Sequence, residues 1–200
     1  MIFHRIETLK YLRDKVFSKY SRVRSKGKIR IWHVNCGAGD FSYAIAVMLR
    51  EAQPKIDRFA VVITATDESS ENIETARLAL FIPKDFDDVP EQLRDKYFDE
   101  FKTPEGAVFN AKAELTKLLR FETMQLAGDW PFKEPFDLIV YDGDSADIEP
   151  AAEEEIISRL REQLKPGGIL ITDESYQIPS YIGFEAISDS VYARPEDDLF

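Results

Sequence analysis

Arg30-Ile31-Trp32-His33-Val34-Asn35-Cys36-Gly37-Ala38-Gly39-Asp40 is the stretch that decides the fold. Residues 29–34 form a short apolar run, the signature of a buried strand. Residues 35–39 carry two glycines in five positions. From residue 40 to 51 apolar residues return at helical spacing, and Gln53-Pro54 stops them. Strand, glycine loop and helix in that order open a parallel α/β sheet. The glycines let the backbone turn sharply into the helix and come close to a ligand. A G-x-G loop alone is a weak signal, because such loops serve many nucleotides and also plain packing.

The next element sharpens it. Residues 59–66 are rich in Ala, Val, Ile and Thr, as a buried parallel strand requires, and they end in Asp67. An acid at this point can accept both hydroxyls of a ribose; it can also simply cap the helix that follows. The interval from Gly39 to Asp67 fits one βαβ crossover, so the two features together point to a nucleoside cofactor.

Outward from this core, residues 6–23 read as an amphipathic helix with Ile6, Leu9, Leu12, Val16 and Tyr20 on one stripe. Ser69 or Ser70 caps a helix reaching residue 80. Prolines at 83, 90 and 104 punctuate a small insertion over about 83–118, with a helical stretch at 90–101 and a hairpin at 106–118. Strands follow at 119–124 and 136–141, then a helix at 151–164. A Lys165-Pro166-Gly167-Gly168 turn precedes a strand at 169–172, and an antiparallel pair lies at 184–194. The expected fold is α/β: a doubly wound, mostly parallel Rossmann-like sheet with a small inserted β-subdomain and an antiparallel C-terminal strand pair. Residues 1–27 form a basic linking helix and 28–200 the domain proper. Ligands of such sheets sit at the carboxyl ends of the strands, which gathers the loops after Val34, Thr66, Met124 and Tyr141.

Composition narrows the function classes. The 200 residues carry a net charge of −11, but residues 1–30 carry +8 and the remainder −19. A basic leader on an acidic body suits an acidic partner, or its own body, and the acidic body argues against nucleic acid. No apolar run is long enough to span or insert into a membrane, and nothing resembles a signal peptide, so the expected location is cytoplasmic. The single cysteine, Cys36, rules out an internal disulfide framework and a cysteine-rich zinc site.

Two further motifs bring in a resemblance. Phe136-Asp137-Leu138-Ile139 and Lys165-Pro166-Gly167-Gly168 are similar to the fourth-strand and pre-fifth-strand motifs of the class I methyltransferases, which implies S-adenosylmethionine as cofactor and S-adenosylhomocysteine as product. More closely, the chain resembles the CheR family of chemotaxis-receptor glutamate O-methyltransferases. The residues that carry this are Phe3-His4-Arg5, Arg30 to Tyr43, Ala65-Thr66-Asp67-Glu68-Ser69, Lys96-Tyr97-Phe98, Phe184-Glu185-Ala186-Ile187, Val191-Tyr192 and Arg194-Pro195. Most of the family's N-terminal helical domain, which docks on receptor helices, has no counterpart here.

The resemblance implies a site. Asn35, Cys36, Gly37, Gly39, Asp40, Tyr43, Asp67, Gln125, Leu126 and Tyr141 would line the cofactor. Within that set Asp40 would lie near the methionine amino group, Asp67 on the ribose and Gln125-Leu126 beside the adenine. Arg5, Asp142 and Tyr141 would form the catalytic end. The family's Arg-Asn after the fourth strand is replaced by Asp142-Gly143, which adds negative charge where a glutamate would bind. Tyr141-Asp142-Gly143-Asp144 with Thr172-Asp173-Glu174 also resembles the magnesium-dependent catechol-type O-methyltransferases, although no metal is assigned. Cys36 reads as a packed small residue and His33 as a packed or surface one.

Three functions fit these residues. One is methyl transfer to a protein carboxylate, which needs no general base. Another is transfer to a small-molecule hydroxyl, which needs a base or a metal. The last is a non-catalytic cofactor-binding module that signals through a protein partner.

Overall fold

A computed structural model describes residues 1–20, 28–58, 60–143, 149–173 and 176–196. Helix α1 (Ile6–Tyr11) runs on through a π-helical stretch (Leu12–Phe17) into a last α turn (Ser18–Tyr20). Leu9, Leu12, Val16, Phe17 and Tyr20 are buried along it, whereas Ile6, expected on the same stripe, is exposed. Residues 21–23 of the expected helix lie outside the described residues. Strand β1 (Lys28–Val34) leads through the glycine loop into α2 (Asp40–Ala52). Every residue of α2 from Phe41 to Arg50 is buried, because α2 lies between the sheet and residues 6–20. Gln53 then turns the chain and donates its side-chain amide to the Phe17 carbonyl at 2.9 Å.

Strand β2 (Ala60–Asp67) pairs in parallel with β1, and Ser69 caps α3 (Ser70–Leu78) by accepting the Asn72 N–H at 3.2 Å. The helix stops at Leu78, short of the expected residue 80. Ala79 takes a left-handed conformation with φ +56°, and β3 (Leu80–Phe81) begins at once. Helix α4 (Glu91–Tyr97) also ends earlier than its expected 101. Residues after it form β4 (Phe98–Thr103), which pairs with β5 (Gly106–Ala111). The hairpin therefore spans 98–111 rather than 106–118, because β5 pairs with 98–103, of which Phe98 alone is buried and the rest exposed. Strands β3, β5 and β4, in that order, make a separate antiparallel sheet.

After the short helix α5 (Ala113–Thr116), parallel order resumes with β6 (Leu119–Thr123) and β7 (Phe136–Tyr141). Helix α6 (Pro150–Gln163) crosses to β8 (Leu164–Ile171). The Lys-Pro-Gly-Gly motif is not a turn ahead of this strand but a bulge within it. Leu164 pairs with Phe136 and Ile169 with Leu138, and Gly167 and Gly168 bond the Arg194 backbone at 2.9 Å each. The hairpin β9 (Glu185–Ser188) and β10 (Val191–Ala193) closes the sheet as the expected antiparallel pair.

The main sheet runs β6-β2-β1-β7-β8-β10-β9, so strand order reverses between β1 and β7. One face, with Ile29, Ile31, Leu138 and Val140, packs on α2 and residues 6–20. The opposite face, with Trp32, Val34, Ile139 and Tyr141, packs on Ile156, Ile157 and Leu160 of α6. No helix among the described residues is long and apolar enough to cross a membrane.

Candidate active site

At the reversal point the loop after β1 is laced to β2. The Cys36 N–H donates to the Thr66 carbonyl at 2.9 Å, and the Gly37 N–H donates to Asp67 Oδ2 at 2.8 Å. Asp67 Oδ1 accepts from the Ser69 N–H at 2.9 Å and from the Asn72 amide at 3.0 Å. One carboxylate thus braces the glycine loop and the start of α3 together. Three of its roughly four lone-pair directions are taken, so a ribose would share Asp67 with the Asn72 amide.

The loop conformation depends on its glycines at two points. Gly39 has φ +90°, and a Cβ there would fall 2.8 Å from the Ala76 Cβ and 3.1 Å from the Phe121 ring. Gly37 has φ +53°, yet a Cβ on it would meet nothing within 4 Å, so its outer side is open. Asn35 takes φ +55° without being glycine, as asparagine tolerates. Cys36 is buried, and burial beside Asp67 and Asp142 pushes its thiol up to about 12, which keeps it protonated and inert.

Asp40 opens α2 with its side chain partly exposed, 3.3 Å from the Met1 amino group. Leu126 is buried and Gln125 exposed on the loop after β6. That loop is held by Glu68, whose Oε1 accepts the Leu126 N–H at 3.0 Å. Sequence reasoning passed over Glu68; its signal was a second acid directly after Asp67. Tyr43 is placed elsewhere than the resemblance implied. It is 1% exposed, its hydroxyl donates to the Ala76 carbonyl at 2.9 Å, and Phe81 and Phe121 flank its ring. It joins α2 to α3 beneath the loop.

The other end of the candidate site is built on Asp142, directly after β7. Arg5 donates to Asp142 Oδ1 at 2.5 Å, and its second amino group donates to the Thr172 carbonyl beyond β8. Its guanidinium lies 5.0 Å above the Phe41 ring. His33 stands 2.9 Å from Asp142 Oδ2 through Nε2 and 2.7 Å from the Ser42 hydroxyl through Nδ1. His33 and Ser42 are fully buried, while the Asp142 side chain keeps 28% exposure. Ser42, His33, Asp142 and Arg5 therefore form one chain of polar contacts from α2 through β1 and β7 to the N-terminal segment. Burial pushes the Asp142 carboxyl up, but His33 and Arg5, with His4 adding less, outweigh it and hold the group below the usual carboxylate range. His33 is thus packed rather than on the surface. The N-terminal segment is not loose either, since Ile2 and Phe3 are buried and the Ile2 N–H donates to the Asp85 carbonyl at 2.9 Å.

Comparison with known proteins decides the family. The model of the family described as CheR methyltransferase, SAM binding domain, matches residues 1–192. The chain belongs to the CheR family. A probable chemotaxis protein methyltransferase of Rhizobium etli is 28% identical over 130 residues, covering 64% of this chain and 48% of the relative. A chemotaxis protein methyltransferase of Borreliella burgdorferi is 25% identical over 189 residues, covering 92% of this chain and 66% of the relative. The chain thus spans about half to two thirds of the length of these curated relatives. Among solved structures, the DszA carbon methyltransferase superposes with a TM-score of 0.52 at 17% identity, covering 82% of this chain and 33% of that one, a likeness of fold alone.

Set in the CheR family, the departure noted in the sequence takes a physical form. Asp142, the acid that follows β7, turns inward to Arg5 and His33. Tyr141, just before it, is 1% exposed under Gly143, where a Cβ would fall 2.7 Å from the Tyr141 ring. Of Asp142, Asp173 and Glu174, the acids raised as magnesium ligands, Glu174 lies outside the described residues, and both Asp142 oxygens are engaged. Among the described residues no group of three His, Cys, Asp or Glu side chains is placed to hold a metal.

Proposed function

We propose that this chain is the catalytic portion of an S-adenosylmethionine-dependent methyltransferase of the CheR type, acting on a glutamate-type carboxylate of a protein. The observation that carries it is the glycine loop after β1 tied to Asp67 at the strand-order reversal, within a match that covers nearly the whole chain. The residues fit the cofactor: Gly37 offers an open backbone face, Asp67 an acid at the ribose position, and the Glu68-held Leu126 loop a wall for a base. When bound, the cofactor supplies an already activated methyl group. What the protein adds is placement and exclusion of water.

The acceptor end supports a carboxylate in one respect. Arg5 already holds a carboxylate, that of Asp142, across the ends of β7 and β8. A carboxylate acceptor is ionised at neutral pH and needs no base, which suits a site where Asp142 is itself held ionised and is a weak base.

The test is transfer of labelled methyl from S-adenosylmethionine to membranes bearing chemotaxis receptors. Label released as methanol by mild alkali identifies a carboxyl ester and supports the reading. Alkali-stable label would exclude a carboxylate acceptor. Cofactor binding without transfer to any protein would favour the signalling-module reading.

A further inference from the structure

Two polar atoms beside the acceptor end have no partner. Tyr141 Oη and Glu153 Oε1 are both buried and unbonded, in side chains 1% and 7% exposed. Their placement follows from the fold. Glu153 sits in the first turn of α6 on the stripe it shares with Ile156, Ile157 and Leu160, the stripe that faces the sheet. Tyr141 ends β7 on that same face. The position that would continue the apolar stripe toward the candidate site is therefore a carboxyl, opposite the end of β7. Tyr176, on the segment after β8, is partly buried against the same cluster. Tyr141 and Tyr176 belong to the cluster that Ile156 and Ile157 of α6 pack into, which brings both tyrosines to the Glu153 end of that helix.

An unpaired buried carboxyl is costly, and such a group calls for a reason, a bound ion or ligand among them. Burial pushes the Glu153 carboxyl up, and the first turn of α6 offsets little of that cost. Among the described residues no cation pairs with Glu153, and Arg159, further along α6, is committed to the Leu126 and Gly128 carbonyls. A carboxyl beside tyrosines is a combination that receives an ammonium group: charge from the acid, hydroxyl acceptors and electron-rich rings from the tyrosines.

We propose that Glu153, Tyr141 and Tyr176 form a subsite for a protonated amine carried by the acceptor, next to the group that is methylated. The proposal rests on the methyltransferase reading and adds to it a requirement on the acceptor: a cation beside the methyl-accepting atom.

The experiment titrates the chain with n-propylammonium, 1-propanol and propionate, each with and without saturating S-adenosylhomocysteine, following binding by saturation-transfer NMR. The expected result is binding of n-propylammonium alone, weakened at least tenfold in Glu153→Gln. Glu153→Leu, which replaces an unpaired buried carboxyl by an apolar group, is expected to fold at least as stably as the native chain and to lose amine binding, so the test survives a failure of the glutamine variant. No amine binding by folded protein, equal binding of 1-propanol (a site for a hydroxyl or an internal water), or amine binding untouched by both variants would overturn the subsite. S-adenosylhomocysteine binding reads the methyltransferase assignment separately: if it persists while the amine fails to bind, only the subsite falls.

Discussion

The two ends of the candidate site are built on opposite plans. At the cofactor end, one carboxylate, Asp67, accepts three donors from the two loops it joins, and Glu68 repeats the device on the next loop. These bonds join strand ends to the loops beside them, and most of their donors are backbone N–H groups. At the acceptor end the bonds run from side chain to side chain: Arg5 to Asp142 and Asp142 to His33 across the length of the chain, and His33 to Ser42 between β1 and α2. The first plan shapes a loop for a ligand and keeps its acceptor capacity near the surface. The second locks an N-terminal segment over the ends of β7 and β8 and draws charge inward. The lesson is that the cofactor end is prepared by carboxylates gripping loop backbone and the acceptor end by a chain of side chains gripping one another.

Substitutions can break this contrast, or sharpen it. His33→Ala removes a fully buried side chain and strips partners from both Ser42 and Asp142; we expect a loss of about 4 kcal/mol in urea unfolding. A loss under about 1 kcal/mol would mean that the acceptor end is not held by this chain of contacts. Gly39→Ala must relieve contacts of 2.8 and 3.1 Å at φ +90°, so it should cost about 2 kcal/mol and weaken cofactor-product binding in parallel. Loss of stability with binding intact would separate the loop from the ligand.

Asp142→Asn isolates the electrostatic share. Because the folded protein holds Asp142 below its usual range, its stabilisation is complete above the unfolded pKa of about 4 and is lost as pH falls through the lower folded value. The wild type should exceed the variant by about 1–2 kcal/mol at pH 7, with the gap closing below about pH 4. A gap independent of pH would show that charge is not what His33 and Arg5 recognise. Glu68→Ala, at the cofactor end, loses one part-buried hydrogen bond to the Leu126 loop and should cost about 1 kcal/mol, with product binding weakened a few-fold.

A different contrast, local against tertiary, explains what the sequence made readable. The order of strands, the glycine loop and Asp67 were recoverable because each depends on neighbours within one βαβ unit. Elements set by tertiary context were not. The α3 helix stops at Leu78 because Ala79 turns left-handed and feeds β3, which needs β5 from thirty residues on. The span 98–103 looks helical by composition and becomes a strand because β5 pairs with it. His33 reads as an ordinary strand residue until α2 and β7 bring Ser42 and Asp142 to its two nitrogens. Glu153 likewise looks like one acid among several on α6 until the packing of Ile157 and Leu160 shows which way it faces.

The measurement that tests the central claim most directly is calorimetric titration with S-adenosylhomocysteine, of the wild type and of Asp67→Ala. The account predicts micromolar binding by the wild type and a weakening of about 100-fold, roughly 3 kcal/mol, in the variant. A folded wild type that binds no S-adenosylhomocysteine, or a variant that binds it as well as the wild type, would contradict the account.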